Sequence, residues 1–366
     1  MPPALAAHFI QIYSSSGDLI LDPFCGKGTV LLEAVLRHRR ALGFDVAPDA
    51  VIVSNAKVDP PTLSQATELV KSLRISSRTR LIGIPRSVRT FFSARTLRGT
   101  IAVRDQLLKI SSNGDAAKKR TAGFLLGTLL GILHGHSRLS LSLPCSHSFA
   151  MAPRYVKRYA KKHRLTRPDR DVKRCLLQRV KQLLSAGNPP VRGKARWSSA
   201  ENLRVSRRSL SSFVDLIITS PPYLDAQTYA KDSWLRLWLL GYDHRMLLPK
   251  FIQTGSPKKY KEKMLPCLKE MLRVLKPKRY AVVVAGDVPY EFRRKKKIFR
   301  TASELARLAA HVSHDGHTFR RVLTIRDDIP SHLRYYSSVH KDNNSMRRKG
   351  ILVERIVVLR KVRSRS

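Results

Sequence analysis

The chain has 366 residues, of which 43% are hydrophobic, so it is long and apolar enough to fold around a core in one large domain or two. Lysine and arginine number 70 against 26 aspartates and glutamates, which gives a formal net charge of +44. Such an excess repels itself unless an anion neutralises it, and nucleic acid is the commonest polyanion. The composition excludes a wholly disordered chain and favours a nucleic-acid partner over a merely basic surface.

The cysteines predict a protein of a reducing compartment, and the apolar stretches predict neither a signal peptide nor a membrane span. The four cysteines are Cys25, Cys145, Cys175 and Cys267. Their spacing matches no disulfide framework. The N-terminus lacks a charged segment followed by an apolar core, so we predict no signal peptide. The longest apolar stretch, residues 122–133, is shorter than the about 20 residues that span a bilayer and predicts a buried helix. We therefore expect a cytoplasmic protein associated with the nucleoid.

The first elements along the chain are a strand, a glycine loop, a helix and a second strand. Residues 17–24 form a short apolar run, and CGKGT at 25–29 is a turn of small residues. Residues 30–39 have helical periodicity, and residues 40–46 form the next apolar run. This order is typical of a site for a nucleotide-type cofactor.

The residue types in this segment fit that chemistry. Gly26 and Gly28 let the backbone turn sharply and approach a ligand at a helix N-terminus. Asp45 ends the second strand, where a carboxylate accepts hydrogen bonds from ribose hydroxyls. Leu31 takes the place of the third glycine of a dinucleotide fingerprint, and no G-K-[ST] sequence ends the loop, so ATP is disfavoured. The alternative without a ligand is an ordinary tight turn between strand and helix.

The composition changes after this first segment. Residues 61–195 are basic, broken by turns and poor in alternating strand patterns, with a basic amphipathic helix predicted over 164–184. The alternation of strands and helices returns at residue 196. We therefore predict an α/β sheet domain in two parts, 1–60 and 196–366, interrupted by a basic, mainly helical insert.

The second part contains the remaining strands of the predicted sheet. Residues 214–219 and 279–288 form apolar strands, separated by a long helix over 258–277. Two late β-rich runs, 318–329 and 351–362, are expected to pair antiparallel at one edge of the sheet.

The strand at 214–219 runs directly into Ser220-Pro221-Pro222-Tyr223. Proline fixes its own φ, lacks a backbone donor and restricts the residue before it. The two prolines therefore predict a rigid loop that holds its serine and its tyrosine in set directions. Such a loop suits a site that holds a flat group in one orientation, and the alternative is a stiff exit from the strand.

DPFCGKGT at 22–29, followed by TSPPY at 219–223, resembles the amino-methyltransferase group of DNA methyltransferases, whose cofactor is S-adenosylmethionine. The S-P-P-Y form is most similar to the cytosine-N4 enzymes, whereas adenine-N6 enzymes more often carry N-P-P-Y or D-P-P-Y. The resemblance covers residues 1–60 and 195–362. It implies a Rossmann-like methyltransferase sheet and an enzyme that methylates the N4 atom of cytosine in DNA.

The resemblance also implies a set of cofactor-binding residues. They are Asp22, Phe24, Gly26, Gly28, Thr29, Asp45 and Glu201. In this arrangement Asp22 meets the methionine amino group, beside a segment at residues 3–14, and Asp45 holds the ribose. Glu201 lies in the turn at 198–203, where an adenine contact is expected.

The rigid loop would supply the catalytic groups. An exocyclic amine is a poor nucleophile because its lone pair is delocalised into the ring. The resemblance implies that Ser220 Oγ and the Pro221 carbonyl accept hydrogen bonds from the amine and hold it in line with the methyl group. Tyr223 is expected to offer an aromatic face for stacking, and Pro222 to keep the loop rigid. Because the amine is unreachable inside double-stranded DNA, we expect the base to flip out.

The insert is the predicted site of target recognition. Its basic residues Arg154, Lys157, Arg158, Lys161, Lys162 and Arg164 cluster with Tyr155 and Tyr159. Basic side chains interleaved with aromatic rings are typical of phosphate contacts. The alternative for each residue is a solvated basic face.

Two further patterns are disfavoured. Cys145 follows a proline, as does the thiolate nucleophile of cytosine-C5 methyltransferases, but Ser146 replaces the usual glutamine and no Glu-Asn-Val partner occurs. His134, His136 and His147 surround this cysteine without the spacing of the commonest zinc fingers. We therefore predict no metal site.

Several functions stay open at this stage. Adenine-N6 methylation of DNA and methylation of an RNA base both fit the loop and the charge. A nucleic-acid-binding protein with an inactive methyltransferase fold is disfavoured, because the motif residues are intact. A cognate restriction endonuclease is an expected partner if the enzyme belongs to a restriction-modification system.

Overall fold

The computed structural model describes residues 1–76, 79–144, 152–203, 212–224, 229–292, 295–329 and 352–364. The chain divides into two compact units. The sheet unit consists of Met1–Val46, Pro190–Thr228 and Pro249–Ser366, and the helical unit of Ala47–Pro189 and Tyr229–Leu248.

The helices and strands follow one another in a single order along the chain. They are α1 (Pro3–Tyr13), β1 (Leu19–Asp22), α2 (Thr29–Leu36), β2 (Arg40–Asp45), α3 (Pro48–Val58), α4 (Leu63–Ser72), α5 (Arg86–Arg89), α6 (Ala94–Asn113), α7 (Ala116–Ile132), α8 (Pro153–Lys162), α9 (Val172–Leu184), β3 (Gly193–Trp197), β4 (Val214–Thr219), α10 (Tyr229–Asp232), α11 (Trp234–Leu239), α12 (His244–Leu247), a 3₁₀ turn (Leu248–Lys250), α13 (Pro257–Val274), β5 (Leu275–Phe292), β6 (Lys295–Arg300), α14 (Thr301–Ala310), β7 (Ser313–His314), β8 (His317–Asp328) and β9 (Val353–Arg363).

The sheet unit is built on a mixed sheet with the strand order β3-β2-β1-β4-β5-β9-β8-β7, and β6 pairs with β5. The strands from β3 to β5 in this order run parallel, whereas β9, β8 and β7 join antiparallel. β1 and β4 are buried along their whole length, as strands in a parallel centre are. The predicted class, an α/β Rossmann-like sheet with a late antiparallel pair, is confirmed, and β8 and β9 are that pair.

The regular elements of the helical unit, α3 to α12, are all helices in the part of the chain that the structure describes. The apolar stretch at 122–133 lies largely in α7, whose Leu125 and Leu129 are fully buried. The helix predicted over 164–184 begins only at Val172, because the side chain of Asp171 accepts a hydrogen bond from Arg174 N and caps it there. None of the described helices has the length and apolarity to cross a bilayer.

The helical unit has different bounds from the predicted insert. Its first segment runs from Ala47 to Pro189, whereas the predicted insert spans 61–195. Its second segment, Tyr229–Leu248, was not predicted to belong to it. One reason is close packing of α3 on α7, since a Cβ atom at Gly127 would lie 2.6 Å from the Cβ of Ala56. The other is that Leu235, Leu239 and Leu240, in and directly after α11, are buried in the apolar core of this unit.

Candidate active site

The predicted site residues of the sheet unit lie at the carboxyl ends of the parallel strands. Asp22, Asp45 and Thr219 are the last residues of β1, β2 and β4. These strands are parallel neighbours, so their carboxyl ends meet at the same edge. This is the edge at which open α/β sheets bind ligands.

The glycine loop turns directly into α2. Gly26 and Gly28 have φ angles of 49° and 74°, in the left-handed region that glycine adopts without strain. Gly28 is the N-cap of α2, so the positive end of this helix lies at the loop. The backbone N–H of Gly26 donates to Asp45 Oδ2 at 2.9 Å, which ties the loop to the end of β2.

A third glycine lets the loop lie close to the sheet. A Cβ atom at Gly43, on β2, would lie 2.6 Å from Leu31 Cδ1 and 2.7 Å from Cys25 Cβ. In a dinucleotide fingerprint, the third glycine lies on the helix and lets helix and strand pack closely. In this chain Leu31 takes that place on the helix, and Gly43 on the strand provides the space instead.

Asp22 is a buried carboxyl group between the two predicted loops. Its Oδ1 atom accepts hydrogen bonds from Phe24 N at 3.1 Å and from Thr219 Oγ1 at 2.7 Å. Burial raises the pKa of Asp22 to about 7, although both hydrogen bonds oppose this rise. A bound cation would stabilise the charged form, so this carboxyl fits the role predicted for it, a contact to a ligand ammonium group.

The end of β3 brings an aromatic residue beside Asp45. Trp197 pairs with Asp45 in the sheet register, and its indole N–H donates to Val46 O at 2.9 Å. The ring is 48% exposed, with Lys250 Nζ 5.4 Å from its centroid. Glu201 is exposed in the turn that follows. Trp197 was not among the residues predicted for this site, although it lies at a strand end directly beside Asp45.

The S-P-P-Y loop is held by hydrogen bonds from two tyrosines. Ser220 Oγ and the Tyr223 hydroxyl lie 2.7 Å apart, and the Tyr223 hydroxyl donates to Glu354 Oε1 at 3.2 Å. The Tyr260 hydroxyl donates to Pro222 O at 2.7 Å. The loop is therefore fixed by contacts from α13 and β9 in addition to its own prolines.

The stacking role predicted for Tyr223 does not agree with the structure. Its side chain belongs to the apolar core of the sheet unit and is 6% exposed. A ring that packs inside a core has no free face for a base. Its hydroxyl is the part that contacts the site, through Ser220.

The basic residues predicted to bind nucleic acid lie on or next to α8 of the helical unit. Arg154, Lys157, Arg158, Lys161 and Lys162 are exposed on the helix, and Arg164 is exposed just after it. Val156 is buried and anchors the helix. Tyr155 and Tyr159 stack on each other with ring centroids 5.9 Å apart. The cations thus face solvent, while the two tyrosine rings pack against each other on the helix.

The structure describes only some residues of the disfavoured cysteine and histidine patterns. Cys145 and His147 lie outside the described residues. His134 is buried, and its Nδ1 lies 2.6 Å from Ser142 Oγ. Among the described residues, no three His, Cys, Asp or Glu side chains are placed to hold a metal ion.

The first part of the chain is similar to known DNA methylases. Residues 1–55 match the model of a family described as DNA methylase. The Type II methyltransferase M.MjaII of Methanocaldococcus jannaschii is 30% identical over 56 residues, which are 15% of this chain and 11% of that relative. The chain therefore spans about a tenth of the curated relative that it matches. Together with the strand order and the site geometry, these matches support a relationship to DNA methylases and S-adenosylmethionine as the cofactor.

Solved structures also resemble the chain, at a low level. A SAM-dependent methyltransferase from Methanosarcina mazei is 11% identical with a TM-score of 0.37, covering 97% of this chain and 98% of that chain. An rRNA methylase from Streptococcus thermophilus is 8% identical with a TM-score of 0.35, covering 99% of this chain and 98% of that chain. With scores this low, these likenesses add nothing to what the strand order shows.

Proposed function

We propose that the chain is an S-adenosylmethionine-dependent methyltransferase that acts on the exocyclic N4 amine of cytosine in double-stranded DNA. One observation carries the proposal. The Thr219 hydroxyl donates to Asp22 Oδ1 at 2.7 Å, which joins the end of the predicted catalytic strand to the first residue of the predicted cofactor loop. A methyl donor and a methyl acceptor need to meet at such a junction.

The residues at the sheet edge suit the cofactor. Bound S-adenosylmethionine would supply an electrophilic methyl group on a sulfonium. Asp22 would hold its ammonium group, and Asp45 its ribose hydroxyls. Phe24, Thr29 and the backbone of Gly26 and Gly28 would line the pocket, and Glu201 would stand at the adenine end. The left-handed glycines support this assignment, because they let the backbone approach a ligand closely.

The rigid loop suits an amine acceptor. Ser220 Oγ and the Pro221 carbonyl would accept hydrogen bonds from the N–H groups, which favours a pyramidal nitrogen with its lone pair aimed at the methyl group. Tyr260 fixes the neighbouring Pro222 carbonyl, so the acceptors are held in place before the substrate arrives. The site therefore contributes orientation rather than a covalent nucleophile.

The choice of target rests on the loop and on the charge. S-P-P-Y is the form that most resembles cytosine-N4 enzymes, and the DNA methylase match covers the cofactor loop. The net charge of +44 and the exposed cations on α8 suit a polyanion. Since a base amine is unreachable in a duplex, we infer that the cytosine flips out. A cognate restriction endonuclease is the partner this function would have in a restriction-modification system.

A single-turnover experiment on Ser220→Ala tests the proposed chemistry. At saturating DNA and cofactor, we expect methyl transfer to slow on the order of 100-fold, as when one preorganised acceptor or donor is removed from other sites. DNA and cofactor affinities should stay the same. Ser16→Ala is the matched control, since Ser16 precedes β1 at the opposite edge of the sheet. Transfer at the wild-type rate by Ser220→Ala would overturn the proposed role of the loop.

A further inference from the structure

Three side chains form a continuous hydrogen-bonded chain at the proposed catalytic loop. Ser220 Oγ lies 2.7 Å from the Tyr223 hydroxyl, which lies 3.2 Å from Glu354 Oε1. The Tyr223 ring is buried in the core, and Glu354 is half-buried.

The fold, and not sequence proximity, brings Glu354 to the loop. β5 pairs with β4 on one side, placing Val283 beside Thr219, and with β9 on the other, placing Gly286 beside Glu354. The antiparallel strand β9 therefore delivers a carboxylate to the edge where the parallel strands end.

The direction of the hydrogen bonds follows from the chemistry of the groups. The Tyr223 O–H has two oxygen acceptors, Glu354 Oε1 at 3.2 Å and Val284 O at 3.5 Å, and the shorter contact directs its proton to Glu354. The Tyr223 oxygen is then the acceptor for the Ser220 O–H. With its proton turned toward Tyr223, Ser220 presents oxygen lone pairs to an approaching amine. Glu354 thereby sets the acceptor state that the proposed function requires of Ser220.

Methylation also leaves a proton to be removed. When an amine nitrogen forms a fourth bond to a methyl carbon, it becomes cationic and its N–H becomes acidic. A serine or tyrosine hydroxyl can pass a proton on but cannot keep a second one at neutral pH. A carboxylate is a stronger base than either hydroxyl, so it can receive the proton during the reaction and release it to water afterwards.

We propose that Glu354 is a positioning residue that also receives the amine proton through Tyr223 and Ser220, an inference that rests on the proposed function. As the N–C bond forms and the S–C bond breaks, the amine proton passes to Ser220 Oγ. The Ser220 proton passes to the Tyr223 oxygen, and the Tyr223 proton passes to the Glu354 carboxylate. A sulfonium, a neutral amine and a carboxylate thus give a thioether, a neutral methylated amine and a carboxylic acid, so atoms and charge balance.

The test uses substitutions that separate proton transfer from hydrogen bonding. Glu354→Gln keeps an oxygen acceptor but cannot take the proton, whereas Glu354→Asp keeps the carboxylate one methylene further back. Asp327→Asn is the matched control, because Asp327 is exposed opposite Glu354 on β8 and its loss removes the same charge. Single-turnover methyl transfer is measured at saturating DNA and cofactor, and both affinities are measured by calorimetry.

We expect Glu354→Gln to slow transfer on the order of 100-fold, within the range for general acid–base groups, with both affinities within about twofold of wild type. Glu354→Asp should recover about tenfold of that loss. Tyr223→Phe should slow methyl transfer as much as Glu354→Gln does. The double variant should be little slower than either single variant, because both substitutions interrupt the same proton path. Asp327→Asn should behave as wild type.

The outcomes separate this inference from the proposed function. If the wild-type protein transfers no methyl group to DNA or RNA, the proposed function itself is wrong. If the wild type is active and Glu354→Gln keeps a rate within about threefold, Glu354 does not receive the proton. A loss in Glu354→Gln that appears equally in cofactor affinity, DNA affinity or thermal stability would assign Glu354 a structural role and overturn the inference.

Discussion

The pKa of Asp22 predicts that cofactor binding releases a proton. Burial raises this pKa to about 7, so the protonated form of Asp22 is favoured below neutral pH. At pH 6 about 0.9 of the molecules therefore carry a protonated Asp22. The ammonium of S-adenosylmethionine should favour the carboxylate and lower this pKa. Binding at pH 6 should then release close to one proton.

Calorimetry in buffers of different ionisation enthalpy measures this number directly. We expect about 0.9 proton released at pH 6 and about 0.5 at pH 7. The affinity should rise about fivefold between these two values, because the ionised fraction of Asp22 rises by that factor. An α-amino group keeps its proton at pH 6, where it is well below its pKa of about 7.7–8.0, so the cofactor adds nothing to the count there.

Asp22→Asn provides the comparison that isolates this carboxyl. The amide oxygen can still accept from Phe24 N and Thr219 Oγ1, so the local hydrogen bonds are kept. Proton release should vanish and the affinity should no longer change between pH 6 and pH 7. Asp18→Asn, directly before the same strand, should behave as wild type. Equal proton release in wild type and Asp22→Asn would show that Asp22 does not face the ammonium.

Three further predictions concern other parts of the chain. Asp45→Ala should weaken cofactor binding by about 1.5–3 kcal/mol in calorimetry, the range for losing a charged hydrogen-bond partner, and unchanged affinity would remove it from the ribose role. Neutralising the α8 cations Arg154, Lys157 and Arg158 should flatten the log–log salt dependence of DNA binding by about 0.9 per lost phosphate contact, without changing cofactor affinity; an unchanged slope would exclude them from the DNA backbone. Gly127→Ala should destabilise the protein to urea by about 1–3 kcal/mol because its Cβ would meet Ala56, whereas Gly123→Ala, with open space around it, should stabilise by up to about 1 kcal/mol. Equal effects at the two glycines would refute the close packing.

The central elements of the sheet could be predicted because their signals are local. β1 and β4 are short, mainly apolar and wholly buried, and each is followed by a loop whose glycines or prolines mark a sharp change of direction. Gly26 and Gly28 do adopt the left-handed conformations that only glycine adopts readily. The positions of Asp22 and Asp45 then follow from parallel pairing alone.

The contacts that complete the site depend on distant parts of the chain. Glu354 reaches Tyr223 only because of the register between β5 and β9, which no local pattern encodes. The same limit explains the misjudged ring of Tyr223, since a sequence shows that an aromatic residue follows the prolines but not which side of it the core covers. The bounds of the helical unit depended likewise on close packing at Gly127.

The most direct test of the proposed function is the identity of the methylated nucleoside. The full chain is incubated with S-adenosylmethionine carrying a labelled methyl group and with unmethylated duplex DNA or RNA, and the digested nucleosides are analysed by mass spectrometry. We predict labelled N4-methylcytosine from DNA, with none from RNA. Labelled N6-methyladenine as the sole product would leave the site standing and overturn the choice of base. A labelled base from RNA alone would overturn the choice of nucleic acid, and no labelled nucleoside from either, with a cofactor-binding protein, would contradict the proposed methyl transfer.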